Sequence, residues 1–216
     1  ALPSVADQFR TSLPTIQWIV IGYALTISSL LLPMGRMADL VGRTKVYLLG
    51  SIIFAFAGGA AGLAPNLATL ILARIILGCG AAMTQGTGMA IITATFPESE
   101  RGKAIGMVMT VVGVGAIAGP AVGGLLVGSL GWRWVFFMIV PFGVISLLGC
   151  WAVVADSVRG VKVRFDWTGF IALSVSVACF QLLLDRGERN SWLDSPEIVL
   201  EVCVLMKPVS YTHLTL

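Results

Sequence analysis

Long apolar runs separated by short polar links dominate the pattern along the chain. A helix needs about 20 mostly apolar residues to cross the roughly 30 Å hydrocarbon core of a bilayer. Measured against that length, the pattern predicts six complete membrane-spanning helices and the start of a seventh near residue 198. The six predicted spans cover residues 16–34, 46–63, 67–96, 104–129, 134–154 and 167–184. We therefore predict an all-α, polytopic transmembrane helix bundle.

The composition indicates that lipid is the solvent for much of the chain. Hydrophobic residues make up 57% of the 216 residues and charged residues 12%, whereas a soluble domain carries about 25% charged residues. The mean hydropathy is +0.93. The net charge of +3 comes without a basic tract, which gives no sign of nucleic-acid binding. Because the apolar runs hold no paired carboxylates and no cysteine cluster, we expect neither an enzyme nor a metal or cofactor site.

The positive charges predict the orientation of the spans. The links on one side of the predicted bundle hold eight Lys and Arg residues, and the opposite side holds four. Because cytoplasmic loops are enriched in Lys and Arg, we place the first set in the cytoplasm and Ala1 on the outer side. We then expect one helix upstream, of which residues 1–9 would be the outer end. Residues 207–216, which include His213, resemble a translated sequencing adapter, and we expect them to be a non-native tail.

One predicted span contains the stretch GAIAGPAVGG. In a soluble helix each glycine costs about 1 kcal/mol and a proline about 3 kcal/mol, so something must compensate. Gly115, Gly119 and Gly123 recur every four residues and line one helix face, and Gly124 lies on an adjacent strip. Small residues at this spacing let two helix backbones approach closely in lipid. Pro120 removes one backbone hydrogen bond and can bend the helix. Simple helix packing is the plainer alternative.

A second motif, GRMADLVGRTK, lies in a predicted cytoplasmic link. We expect Gly35 and Gly42 to permit a tight reversal between two helices. Asp39 can accept hydrogen bonds, and Arg43 and Lys45 can reach carboxylates or lipid headgroups. An inert, positively charged anchor is the alternative, but such an anchor needs no central aspartate.

Arg74 is the single charged residue that we place inside a complete predicted span. An arginine at a helix centre costs about 2.5–3.5 kcal/mol or more, so an intramembrane charge is a functional candidate by default. Snorkelling of the side chain to the outer surface is the alternative, because Arg74 lies about two turns from that end. All Asp and Glu residues fall outside the six complete spans. The spans therefore supply no carboxylate that could pair with this arginine.

Together, the three motifs resemble those of the Major Facilitator Superfamily. G-x-x-x-G-P-x-x-G-G is similar to the antiporter motif in the fifth helix of its proton-driven exporters, and GRMADLVGRTK is similar to its signature loop between helices 2 and 3. R-x-x-x-G-x-G-A-A resembles a fourth-helix motif, although Leu77 replaces the polar residue often seen there. A further helix at 167–184, directly after the sixth, resembles the fourteen-helix drug:proton antiporters (EmrB/QacA-like).

The resemblance implies an N-terminal helical bundle at residues 1–155, followed at 156–206 by an extra helix 7 and the start of helix 8. It implies a role for the glycine helix in keeping the interface between helices tight. The charged loop is expected to form a gating network, and Arg74 to take part in proton coupling with an acidic residue of helix 1. Helix 1 and at least six later helices would lie outside the chain, so we do not expect the chain alone to export.

The resemblance also implies a secondary transporter, monomeric in the lipid bilayer. It would export small, hydrophobic or amphipathic drugs or antibiotics across the cell membrane in exchange for protons. A metabolite exporter of the same fold and a non-transporting sensor or scaffold are the alternatives. We assign no substrate-binding residues, although methionines would suit an apolar lining. The methionines considered are Met83, Met89, Met107 and Met109.

Overall fold

The structure, a computed structural model, describes residues 2–9, 11–154 and 167–186, and its secondary structure within these ranges is helical throughout. The helices are α1 (Leu2–Phe9), α2 (Leu13–Ile16), α3 (Trp18–Val41), α4 (Arg43–Gly62), α5 (Leu67–Thr95), α6 (Glu98–Ser129), α7 (Arg133–Phe137), α8 (Ile139–Val153) and α9 (Trp167–Arg186). The predicted all-α class is confirmed. The predicted domain boundary at 155, the span near 198 and the tail at 207–216 fall on or beyond the edges of the described ranges and stay predictions.

Five stretches of the described chain are long and apolar enough to cross a membrane. They are α3, α4, α5, α6 and the continuous pair α7 and α8, while α9 contains a shorter apolar segment, Thr168–Gln181. These helices follow the order of the predicted spans. Two are longer than their apolar runs: α3 continues to Val41 and α6 begins at Glu98. Hydropathy marks only the part of a helix that lies in lipid, and these polar turns extend beyond it.

α5 is the central helix of the described bundle, packing against α3 on one side and α4 on the other. Glycines bring these backbones close together. A Cβ atom at Gly78 would lie 2.8 Å from Cβ of Thr26 in α3, and one at Gly80 would lie 2.7 Å from the backbone nitrogen of Phe54 in α4. Such contact between small residues is a main source of helix association in lipid. Around this trio, α8 packs against α4 and α9 packs against α3.

A buried apolar cluster holds the predicted outer end of the bundle together. The Trp132 indole N–H donates a hydrogen bond to the side-chain carbonyl of Gln8, and the Trp132 ring meets that of Phe136 edge-on at 5.8 Å. The Arg133 guanidinium donates to the carbonyl oxygen of Ala64 at 3.1 Å. The segment between α6 and α7 is thereby fixed to α1 and to the end of α4. The buried members are Val5, Ala6, Ile16, Ile19, Ala61, Ala64, Leu70, Ala73, Trp132 and Phe136.

α6 stands apart from the other long helices of the described chain. Its main contacts are with its sequence neighbours α5 and α7, and residues 111–122 are all exposed. Of the 32 residues of α6, Ala104 alone is buried within the described ranges. The helix that contains the glycine motif therefore has most of its surface free within the described ranges.

Candidate functional site

The glycine motif lies on the exposed middle of α6. The helix runs without interruption from Glu98 to Ser129, with Pro120 inside it. A Cβ atom added at any of the four motif glycines would meet nothing within 4 Å. These glycines are Gly115, Gly119, Gly123 and Gly124. Close packing of this face against another helix stays a prediction, because no described helix lies against it.

The second motif forms a one-residue reversal between α3 and α4. α3 ends at Val41, α4 begins at Arg43, and Gly42 between them has φ +117° and ψ +125°. An L-residue rarely adopts such a φ, so this position requires glycine. Gly35, by contrast, lies inside α3, and a Cβ there would be 3.5 Å from the carbonyl oxygen of Gly86. The prediction that Gly35 takes part in the reversal is wrong, since it packs against α5 instead.

Replacing Gly42 by alanine is expected to destabilise the protein by about 1–3 kcal/mol, the usual cost of holding a non-glycine residue in a sparsely populated backbone conformation. The measurement is the unfolding midpoint in a detergent titration followed by tryptophan fluorescence. Gly102→Ala is the matched control, because Gly102 is helical and a Cβ there meets nothing within 4 Å. Equal midpoints for the two variants would contradict the assigned strain.

Asp39 and Arg43 form a charge network at this reversal. Nε and one Nη of Arg43 each lie 2.9 Å from the same carboxylate oxygen of Asp39. Another Nη of Arg43 donates to the carbonyl oxygen of Ala90 in α5 at 3.2 Å. One guanidinium thus joins α3, α4 and α5 at the predicted cytoplasmic end. Lys45 is exposed and forms no ion pair with any described residue.

Arg74 lies between two aromatic rings, one from α3 and one from α7. Its guanidinium carbon is 5.3 Å from the centroid of the Tyr23 ring and 4.8 Å from that of Phe136. A desolvated contact of this kind is worth up to about 2 kcal/mol. Within the described ranges the guanidinium forms no ion pair, and its Nε is buried without a hydrogen-bond partner. The rings stabilise the positive charge, but the buried Nε donor stays unsatisfied.

The aromatic partners of Arg74 are candidate functional residues that the sequence motifs do not identify. Tyr23 stands in the sequence only as a polar residue of an apolar span, and Phe136 as part of the run WRWVFF. The sequence signal that could have identified Phe136 is its depth along the helix axis, measured from the predicted outer end. Arg74 lies about 10 Å along α5 from its start at Leu67, and Phe136 about 5 Å along α7 from its start at Arg133, taking 1.5 Å per residue. Both therefore lie near the predicted outer end.

The structure places the two charged features at opposite ends of α5. Arg74 and Ala90 are sixteen residues apart in one helix, which corresponds to about 24 Å. The glycine motif of α6 contacts neither of them in the described chain. The three predicted motifs therefore do not form a single pocket. They occupy the two ends of α5 and the face of α6.

Comparison with known proteins agrees with the motifs and the helical architecture. The profile of the Major Facilitator Superfamily matches residues 1–197. The chain is 30% identical to "Riboflavin transporter RibZ" of Clostridioides difficile (strain 630), over 98% of the chain and 47% of that protein. It is 34% identical to "Multidrug resistance protein Stp" of Mycobacterium tuberculosis (strain CDC 1551 / Oshkosh), over 93% of the chain and 37% of that protein.

A third relative is the "Tetracenomycin C resistance and export protein" of Streptomyces glaucescens, 32% identical over 90% of the chain and 36% of that protein. The chain thus spans less than half the length of these curated relatives. Their names describe transport or drug resistance, not enzymatic reactions. Apolar helices long enough to cross a bilayer and a family profile over most of the chain lead to one conclusion: this is a multi-pass membrane protein that belongs to the Major Facilitator Superfamily.

Proposed function

We propose that this chain is part of a secondary transporter that exports small, hydrophobic or amphipathic molecules, such as drugs or antibiotics, in exchange for protons. The protein is expected to act as a monomer in the lipid bilayer. Relatives whose names specify multidrug resistance and the export of tetracenomycin C support the direction of transport and the substrate class. In such a carrier, two helix bundles rock against each other and expose a central region to either side of the membrane in turn.

The observation that supports the proposed proton coupling is the environment of Arg74. Two rings hold its guanidinium at the predicted outer end, with no carboxylate bound to it among the described residues. Arginine does not lose its proton in proteins, so it cannot itself carry protons through the cycle. We propose that Arg74 pairs with a carboxylate outside the described ranges and that this carboxylate binds and releases the proton.

Proton exchange is tested in everted membrane vesicles that contain the protein encoded by the complete open reading frame. Addition of a transported dye to acidified vesicles is expected to release protons from the lumen, and a protonophore is expected to abolish dye uptake. Dye movement that is insensitive to the protonophore would exclude proton antiport. The absence of any dye movement would favour a non-transporting sensor or scaffold.

Asp39→Asn is expected to reduce transport strongly while changing stability by less than about 1 kcal/mol. The pair with Arg43 is partly exposed, with side-chain exposures of 45% for Asp39 and 31% for Arg43, and exposed ion pairs stabilise little. Efflux rate and unfolding midpoint are measured on the same preparations. Glu98→Gln is the matched control, because it removes the 3.7 Å pair with Arg101 outside the motif. Full efflux in Asp39→Asn would show that the network has no gating role.

A metabolite exporter of the same fold is the second candidate. It is favoured by the relative named as a riboflavin transporter, which aligns with 98% of the chain. Vesicle uptake of riboflavin and of a hydrophobic dye, each measured alone and in competition, separates the two. Riboflavin uptake that the dye does not inhibit would favour the metabolite exporter.

A further inference from the structure

A cavity of about 980 Å³ lies among α4, α5, α6 and α8, and its wall contains neither Arg74 nor any of the four motif glycines. Its wall includes Tyr47 of α4, Gln85 and Met89 of α5, Met109 of α6, and Ser146 and Gly149 of α8. A cavity of this size is within the range that accepts a drug-sized molecule. Met89 and Met109 line it, whereas Met83 is buried in a separate cluster of the bundle.

The depth of the cavity follows from the positions of its residues along the helices. Tyr47 is four residues from the predicted cytoplasmic end of α4, and Gln85 is ten residues from the corresponding end of α5. At 1.5 Å per residue these depths are about 6 Å and about 15 Å. The cavity therefore extends from the predicted cytoplasmic surface to about the middle of the bilayer.

The polar groups of the cavity are uncharged. None of the described residues that line it is Asp, Glu, Lys, Arg or His. The Tyr47 hydroxyl and the Ser146 hydroxyl share a hydrogen bond of 2.8 Å. The Gln85 side chain is exposed in the described bundle and lines the cavity, and its amide makes no hydrogen bond to any described residue, although it lies at about the middle of the predicted bilayer. An amide in such surroundings is costly unless a partner satisfies it.

We propose that this cavity binds a neutral amphipathic small molecule, with an apolar body against the methionines and a carbonyl or hydroxyl group hydrogen-bonded to Gln85. A charged ligand would lose its hydration without gaining a counter-charge, so neutral molecules are selected. A lipid acyl chain also fits the apolar wall, but it has no polar group at the depth of Gln85. This inference rests on the proposed export function and narrows its substrate class to uncharged compounds that bind within the described bundle.

Binding is measured with Nile red, a neutral dye whose fluorescence reports the polarity of its surroundings. The dye is added to the chain in phosphatidylcholine nanodiscs, and empty nanodiscs give the baseline.

Gly149→Leu is the principal variant. A Cβ at Gly149 meets nothing within 4 Å, so the new side chain enters the cavity without displacing the backbone. We expect it to weaken saturable binding at least about tenfold, because the occupied volume is lost to the ligand. Ala152→Leu is the matched control on the same helix, exposed and outside the cavity wall, and should bind as the unmodified chain does.

Gln85→Leu keeps the volume of the side chain and removes the amide, so it separates the hydrogen bond from packing. It is expected to weaken Nile red binding by about 3- to 10-fold, which is the range for one hydrogen bond. The cation tetraphenylphosphonium is expected to compete poorly. Unchanged binding in both Gly149→Leu and Gln85→Leu would overturn the proposal, as would the absence of saturable binding to the unmodified chain. Preferential binding of the cation would overturn it as well.

Native mass spectrometry distinguishes a lipid occupant. A phospholipid that remains bound to the chain, and is lost in Gly149→Leu, would replace the small molecule as the occupant. The proposed proton-coupled export is tested separately from these binding measurements. Saturable Nile red binding without proton-coupled efflux would contradict proton antiport but not the binding site. Efflux that is unchanged in Gly149→Leu would contradict the role of this cavity but not proton antiport.

Discussion

Arg74→Ala is expected to reduce pH-gradient-driven efflux at least about tenfold in the protein encoded by the complete open reading frame. Coupling between two binding events commonly amounts to about 1–3 kcal/mol, or roughly 5- to 150-fold. The substitution removes the one charge described inside the membrane-crossing part of α5, together with its contacts to Tyr23 and Phe136. The initial rate of dye efflux is measured at equal protein levels, with and without an imposed pH gradient.

Arg74→Lys is the matched control for charge. Lysine keeps the positive charge but lacks the flat guanidinium that lies over the Tyr23 and Phe136 rings, so we expect partial efflux. Efflux in Arg74→Ala equal to that of the unmodified protein would contradict the assigned role in coupling. An equal loss in the alanine and lysine variants would show that the planar stacking of the guanidinium matters more than its charge.

Gly80→Ala is expected to lower the free energy of unfolding by about 1–3 kcal/mol, the usual cost of overpacking. The added Cβ would lie 2.7 Å from the backbone nitrogen of Phe54 and 2.8 Å from the carbonyl oxygen of Gly50. Because both atoms belong to the α4 backbone, no side-chain rotation can relieve the contact, and α4 and α5 must separate. The midpoint of a detergent-induced unfolding curve measures the effect.

Gly88→Ala provides the matched control in the same helix. The nearest atom to an added Cβ there is in the Tyr47 ring, at 4.0 Å, and alanine favours a helix by up to about 1 kcal/mol over glycine. The two substitutions are therefore expected to shift stability in opposite directions or, at least, to differ clearly. Equal effects would show that the α4–α5 contact tolerates separation.

The positions of the membrane helices could be predicted from sequence because lipid requires an apolar run of nearly fixed length. α5, predicted at 67–96, begins at Leu67 and ends at Thr95. The ends are less predictable where polar residues continue a helix beyond the lipid. The charged turn that contains Gly35 is part of α3 for this reason, and only Gly42 forms the reversal.

Contacts between helices were harder to predict, because periodicity shows which residues share a face but not which face meets a neighbour. The spacing of Gly115 and Gly119 predicts close packing, yet the closest approaches described, 2.6–2.7 Å from an added Cβ, are at Gly50, Gly62 and Gly80. Likewise, the isolated charge of Arg74 marks it as a functional candidate, but its aromatic partners come from distant parts of the chain. The Asp39–Arg43 pair is more accessible to prediction, since four residues separate its members.

We propose that the exposed glycine face of α6 moves against the second helix bundle during transport. In the described chain a Cβ at Gly119 meets nothing within 4 Å, so a larger residue there should not disturb the bundle itself. The decisive measurement is proton-coupled dye efflux by Gly119→Leu in the protein encoded by the complete open reading frame, with Gly113→Leu, an exposed α6 glycine outside the motif, as control. We predict normal folding with efflux lost in Gly119→Leu and retained in Gly113→Leu; undiminished efflux in Gly119→Leu would contradict the account.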